Sequence, residues 1–185
     1  MFQSPAAHGA AVALLAGAVF LVAFGARFRG LRSSEAMQQA QLARNVATGR
    51  GYVTQVISPL GLYFDRSVRN RSDVSTPPLG PLLMAIFFRA FGADDGVAAL
   101  ASGIAYVASV VATWALGRRL GGARVGLLAA GLYGLSGAAT SASLAATPAA
   151  LGASVVAAAF AAALASVPEA ESADGALLVA AAADG

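Results

Sequence analysis

The stretch Pro78–Phe91, PLGPLLMAIFFRAF, decides how this chain is laid out, because it is apolar but for Arg89 yet only 14 residues long. A helix needs roughly 20 apolar residues to cross a bilayer, and Arg89 sits near the end of this one. The length predicts a short, proline-led helix at a membrane interface rather than a span. On its upstream side, Gly9–Ala26 (GAAVALLAGAVFLVAFGA) runs 18 residues without a polar side chain. It reads as a first span and not as a cleaved signal, since residues 1–8 carry no positive charge and the apolar run exceeds the ~7–15 residues of a signal core. On its downstream side, Gly96–Leu116 offers 21 uncharged residues closed by Trp114, Arg118 and Arg119, an aromatic and basic terminus that suits the interface.

Beyond that second span, residues 125–168 are an uncharged run of 44, broken by Ser136, Gly137, Thr140, Ser141 and Ser143 and then by Thr147-Pro148. This predicts two antiparallel spans, about 125–141 and 148–166, the second opened by Pro148 with Thr147 as its N-cap. Gly126, Ala130, Gly134 and Ala138 repeat every four residues, a small-residue stripe that lets helix backbones approach closely in lipid. After the acidic Glu169, Glu171 and Asp174, a further apolar run starts at 176 and stops after eight residues, so the chain reads as the N-terminal part of something longer. The expectation is an all-α fold: one membrane domain over 1–185, a polytopic bundle with an amphipathic juxtamembrane helix and the short proline-led interfacial helix.

Composition narrows the chemistry. Hydrophobic residues make up 58%, charged residues 11%, and the mean hydropathy is +0.71, outside the range of soluble domains. There is no cysteine, which removes disulfides, thiolate metal sites and thiol nucleophiles. The single histidine, His8, has no second ligand at metal spacing. All 12 basic residues are arginine, and eight of them lie in the one long loop, 27–76, beside the first span. Attraction to anionic lipid or a lipid phosphate explains that placement better than nucleic acid does. No phosphate-loop or dinucleotide fingerprint is present.

Arg118, Arg119 and Arg124 occupy a very short connection, which the positive-inside tendency puts in the cytoplasm. With a non-spanning 78–91 helix, loop 27–76 is then external, although Arg27, Arg29 and Arg32 pull the other way. Within the loop, Ser34 followed by Glu35–Thr48 predicts a helix with a serine cap, a carboxylate in its first turn and Gly49 and Gly51 at its end. Ala36, Met37, Ala40, Ala43, Val46 and Ala47 form its apolar face, opposite Gln38, Gln41, Arg44, Asn45 and Thr48. Such a helix should lie on the membrane surface.

The ordered set of segments resembles the N-terminal part of the membrane-embedded GT-C glycosyltransferases, in particular the dolichyl-phosphate-mannose-protein mannosyltransferase-like group. The matching stretches are Glu35–Tyr52 with its A-R-N-x-A-x-G-x-G-Y, Thr76–Gly92 with the PPL-led helix, the L-G-R-R-L-G of Leu116–Gly121 and the R-V-G-L-L-A-A-G-L of Arg124–Leu132. The resemblance covers roughly residues 10–165. It implies a polyprenyl-phosphate sugar donor, an external loop with a catalytic carboxylate, and placement in the cell membrane. Relatives commonly carry Asp-Glu where this chain has Ser34-Glu35, and an acidic residue where it reads Ala146-Thr147-Pro148-Ala149.

Moving a glycosyl group from a lipid phosphate to a hydroxyl requires a carboxylate to accept the acceptor's proton and cations to stabilise the phosphate leaving group. Glu35 is the first candidate base, Asp73 the second and Asp65 the third. Arg66, Arg69 and Arg71 are candidates for the donor phosphate, since guanidinium pairs well with phosphate oxygens. The plain alternatives are a helix-terminal charge for Glu35, solvated loop carboxylates for Asp73 and Asp65, and lipid-headgroup contacts for the arginines. Tyr52 and Tyr63 suit stacking on a sugar or the ordinary role of amphipathic interface residues, and Trp114 suits an interface anchor. The expected partners are membrane lipid and a lipid-linked sugar; a divalent metal is left open. The competing functional class is a non-catalytic membrane subunit or transporter fragment, or an inactive truncated product.

Overall fold

A computed structural model describes residues 5–54, 71–72, 76–146, 156 and 159–160. Its helices are α1 (Pro5–Arg27), α2 (Ser34–Ala47), α3 (Leu79–Phe91), α4 (Asp95–Gly134) and α5 (Gly137–Leu144). Two-residue strands, β1 (Val53–Thr54) and β2 (Arg71–Ser72), pair antiparallel. The protein is an all-α membrane protein: α1 and α4 are long and apolar enough to cross a membrane, and α3 is apolar but short. Of the run expected at 148–166 only 156, 159 and 160 are described, as helical, and the run from 176 lies outside the described residues.

α4 is two helices joined at a hinge. Gly121 (φ −144°, ψ 17°) and Gly122 (φ 81°, ψ −177°) leave helical geometry, and the positive φ at Gly122 is one that glycine adopts without steric cost. The two arms fold back on each other. A Cβ on Gly117 would lie 3.0 Å from the Cα of Gly126, and one on Gly126 would lie 2.7 Å from the carbonyl oxygen of Trp114. Further along, the Tyr106 hydroxyl donates to the carbonyl of Gly134. The buried Gly126, Ala130 and Gly134 are thus the stripe that lets the arms touch backbone to backbone, while Ala138 lies past the end of the arm and is exposed. The expected helix over 125–141 is interrupted, since Leu135 and Ser136 separate α4 from α5.

α1 runs antiparallel to the first arm of α4. The ring of Trp114 lies 3.1 Å from where a Cβ on Gly9 would be, Phe20 fills the space over Gly103, and Phe24 lies beside Gly96. Gly103 admits the Phe20 ring so closely that a Cβ there would sit 2.3 Å from it. Inside lipid such contact stabilises through dispersion and close approach, because apolar burial against hydrocarbon gains little. Trp114, expected as an interface anchor, is 8% exposed, its ring packed against Gly9 of α1 with the Arg118 guanidinium 5.5 Å from its ring centroid. The indole keeps a cation over its face while burying its edge.

The antiparallel pairing puts the described residues between 28 and 94 at one end of the bundle and Arg118, Arg119 and Arg124 at the other. α3 stays at the first end, stopped by Gly92 (φ 92°) before Asp94 caps α4. It packs between α2 and the start of α4 around Leu31, Ala36, Ala43, Met84, Phe88 and Ala98. Relative to exposure in water, burying Met84 and Phe88 in this cluster stabilises by about 1.5–3 kcal/mol each.

Candidate active site

α2 is the element that presents the first candidate base. Its N-cap is Ser33, not Ser34: Ser33 is extended (φ −88°, ψ 142°) and its hydroxyl accepts the Ala36 N–H at 3.1 Å. Ser34 already has helical geometry, which places Glu35 in the first turn, exposed to solvent. A carboxylate there is favoured by the helix dipole.

Three side-chain hydrogen bonds tie α2, Tyr52–Val53 and Thr76 together. The Gln38 amide donates to the Thr76 hydroxyl at 3.2 Å, the Tyr52 hydroxyl donates to the Thr76 carbonyl at 2.9 Å, and the Asn45 amide donates to the Val53 carbonyl at 2.7 Å. Strand pairing then sets Val53 opposite Ser72 and Thr54 opposite Arg71. Gln38 lies three residues, one helical turn, from Glu35, so Thr76 docks on the flank of α2 that carries the candidate base. The backbone of Arg71 is thereby paired to β1, the strand that follows α2. Asp65, Asp73, Arg66 and Arg69 lie outside the described residues, as does the side chain of Arg71.

The faces of α2 differ from the expected ones. Asn45, read as polar and outward, is buried because β1 supplies a carbonyl for its amide, and Met37, read as apolar and inward, is 51% exposed. Gln39 is 1% exposed, and neither its amide nitrogen nor its amide oxygen has a hydrogen-bond partner. An unpaired buried polar group costs about 1–3 kcal/mol. Gln39→Leu, which removes the amide while keeping most of the bulk, is therefore expected to raise the midpoint of thermal unfolding in detergent; a lower midpoint would show that the amide is held by favourable contacts.

Two carboxylates that the sequence reading passed over frame the other side of α2. Asp94 caps α4, accepting the Gly96 N–H at 2.7 Å, and Asp95 accepts the Leu31 N–H at 3.2 Å from 64 residues away. The latter bond ties the exit of α1 to the entry of α4, across Gly30 (φ 93°), where a Cβ would lie 3.3 Å from the Asp95 carboxylate. Between them and α2 opens a cleft of about 210 Å³ lined by Leu31, Gln41, Arg44, Phe88, Asp94 and Asp95. Met37 also lines it, and at about 100° per residue Glu35 points some 160° away around the helix. Glu35 and the aspartate pair therefore serve different surfaces. The signal for Asp94 was present in the sequence: an acidic pair directly before a long apolar run is an N-cap pattern. Among the described residues no three His, Asp or Glu side chains converge in a way that could hold a metal ion.

Residues 75–185 match the sequence model of the family described as dolichyl-phosphate-mannose-protein mannosyltransferase. The match takes in α3, α4 and α5 and begins downstream of α2 and Glu35. No curated protein and no solved structure matches the chain.

Proposed function

Because the chain belongs to the dolichyl-phosphate-mannose-protein mannosyltransferase family, we propose that it serves as the N-terminal membrane region of a glycosyltransferase that moves a sugar from a polyprenyl-phosphate donor to an acceptor hydroxyl at the outer face of the cell membrane. The observation that carries this reading is the exposed Glu35 in the first turn of α2, whose Asn45 holds β1, the strand with which β2 pairs at Arg71. In the reaction, the acceptor oxygen forms a bond to the anomeric carbon as that carbon's bond to the donor phosphate oxygen breaks. Glu35 takes the hydroxyl proton, with Asp73 and Asp65 as the alternatives. The phosphate departs as an anion, and Arg66, Arg69 and Arg71 stabilise its growing charge. The outward reading is supported by Arg118, Arg119 and Arg124 at the opposite end of the bundle, in a tight hinge that the positive-inside tendency assigns to the cytoplasm, against the pull of Arg27, Arg29 and Arg32.

Two measurements test this. Membranes containing the protein are expected to transfer radiolabelled mannose from polyprenyl-phosphate mannose above the background of membranes lacking it, whereas transfer from a nucleotide-linked mannose alone would overturn the donor assignment. Because the chain has no cysteine, Arg50→Cys gives a single thiol at an exposed position. A membrane-impermeant thiol reagent should label it in intact cells; labelling only after lysis would place the loop in the cytoplasm and remove the outer-face reading.

A further inference from the structure

A concave apolar channel runs along the flank of α1, walled on its other side by the end of α4 and by α5. Leu15 and Val19 face Leu135 and Thr140 across it, and its volume is about 470 Å³. The Thr140 hydroxyl donates back to the Ser136 carbonyl at 3.1 Å, so this threonine need not present an unpaired hydroxyl to the channel. At the end where α1 leaves the membrane, the lining changes from hydrocarbon to a cation, Arg27. Arg27 is exposed, and no carboxylate among the described residues pairs with it.

The dimensions select the occupant. From Leu15 to Arg27 the helix rises about 18 Å, a little more than one leaflet of a ~30 Å hydrocarbon core. A single chain of that length, with one anionic group at the Arg27 end, is the acyl chain and phosphodiester of a phospholipid. A polyprenyl chain is several times longer and would leave most of its length outside. The arginines at 29 and 32 add positive charge in the same short segment and disfavour a headgroup that carries its own cation. We propose that the channel between α1 and α5 is a binding site for one anionic phospholipid, its acyl chain along Leu15–Val19 and its phosphodiester on the Arg27 guanidinium. The site depends on the membrane placement of α1 and not on the transfer reaction, so loss of either reading leaves the other standing.

Thermal unfolding of the purified protein in detergent, titrated with phosphatidylglycerol or phosphatidylcholine, tests the site. At a hundredfold excess over its Kd, phosphatidylglycerol is expected to raise the unfolding midpoint by roughly 5–10 °C, and phosphatidylcholine by much less. Arg27→Ala and Ala18→Phe, the latter filling the channel from an exposed position on α1, should each abolish the shift. Arg29→Ala, whose arginine does not line the channel, should retain it. Equal shifts with both lipids, or equal loss in Arg27→Ala and Arg29→Ala, would reduce the effect to diffuse surface charge and overturn the site. A shift with polyprenyl phosphate but not with phosphatidylglycerol would assign the channel to the sugar donor instead.

Discussion

The Glu35→Gln variant is expected to lose glycosyl transfer by about 10²–10⁴-fold, the range over which a positioned acid–base group accelerates a reaction. The amide keeps the shape and the hydrogen-bonding reach of the side chain and removes only its capacity to accept a proton. At 1.36 kcal/mol per tenfold, the lost transition-state stabilisation is about 3–5 kcal/mol. The effect on folding should be far smaller. An exposed first-turn carboxylate contributes about 0.3–1 kcal/mol through the helix dipole, and the Ser33 cap and the Gln38, Tyr52 and Asn45 bonds are untouched by the change. The variant should therefore accumulate in membranes like the parent and bind donor with a similar KM, the whole defect falling on kcat. Transfer at the parental rate would leave Glu35 as a helix-terminal charge and move the search for the base to Asp73 and Asp65.

The second large effect is expected in the membrane. Gly126→Ala should lower the stability of the bundle by about 1–3 kcal/mol, the usual cost of forcing an extra methyl into a packed interior. The reason is the identity of what the methyl meets. It would lie 2.7 Å from the Trp114 carbonyl oxygen and 2.8 Å from the Arg118 nitrogen, both backbone atoms of the opposing arm, so neither can turn aside as a side chain could. The arms must separate, loosening the Tyr106–Gly134 bond further along the same seam. Gly131→Ala is the control within the same arm of α4. A Cβ there meets nothing within 4 Å, and alanine is favoured over glycine in a helix by about 0.5–1 kcal/mol. Thermal unfolding of the two variants in one detergent should move in opposite directions; a common loss would mean that helix propensity or expression, not close packing, governs both.

How much of this was legible in the sequence depends on whether a signal was local. The apolar runs of α1 and α4 and the stripe Gly126, Ala130, Gly134 were legible because each depends on spacing along one helix. The hinge was bracketed but not located, since Gly121 and Gly122 look alike in sequence and only the second adopts a positive φ. The cap shifted by one residue because Ser33 and Ser34 are chemically equal and backbone geometry alone chooses between them. The faces of α2 were misjudged for a different reason. Asn45 and Gln39 turn inward, and Asn45 is compensated by Val53 from a strand whose approach no helical periodicity encodes. Asp95 was passed over because its partner, the Leu31 N–H, lies 64 residues distant. Trp114 suits an interface in composition, and its burial follows from Gly9 on another helix, which leaves room for the indole.

The anchoring of the loop has a consequence for how this protein can diverge. Thr54 and Arg71 are held as paired neighbours and Thr76 is clasped by Gln38 and Tyr52, so the mounting points of the intervening chain are set by α2 rather than by that chain's own content. For a loop with fixed ends, each doubling of length costs only about 0.6 kcal/mol. The number of residues between the mounts can thus change at little expense to the scaffold, so variation in the length of this segment need disturb neither α2 nor the place of Glu35 on it.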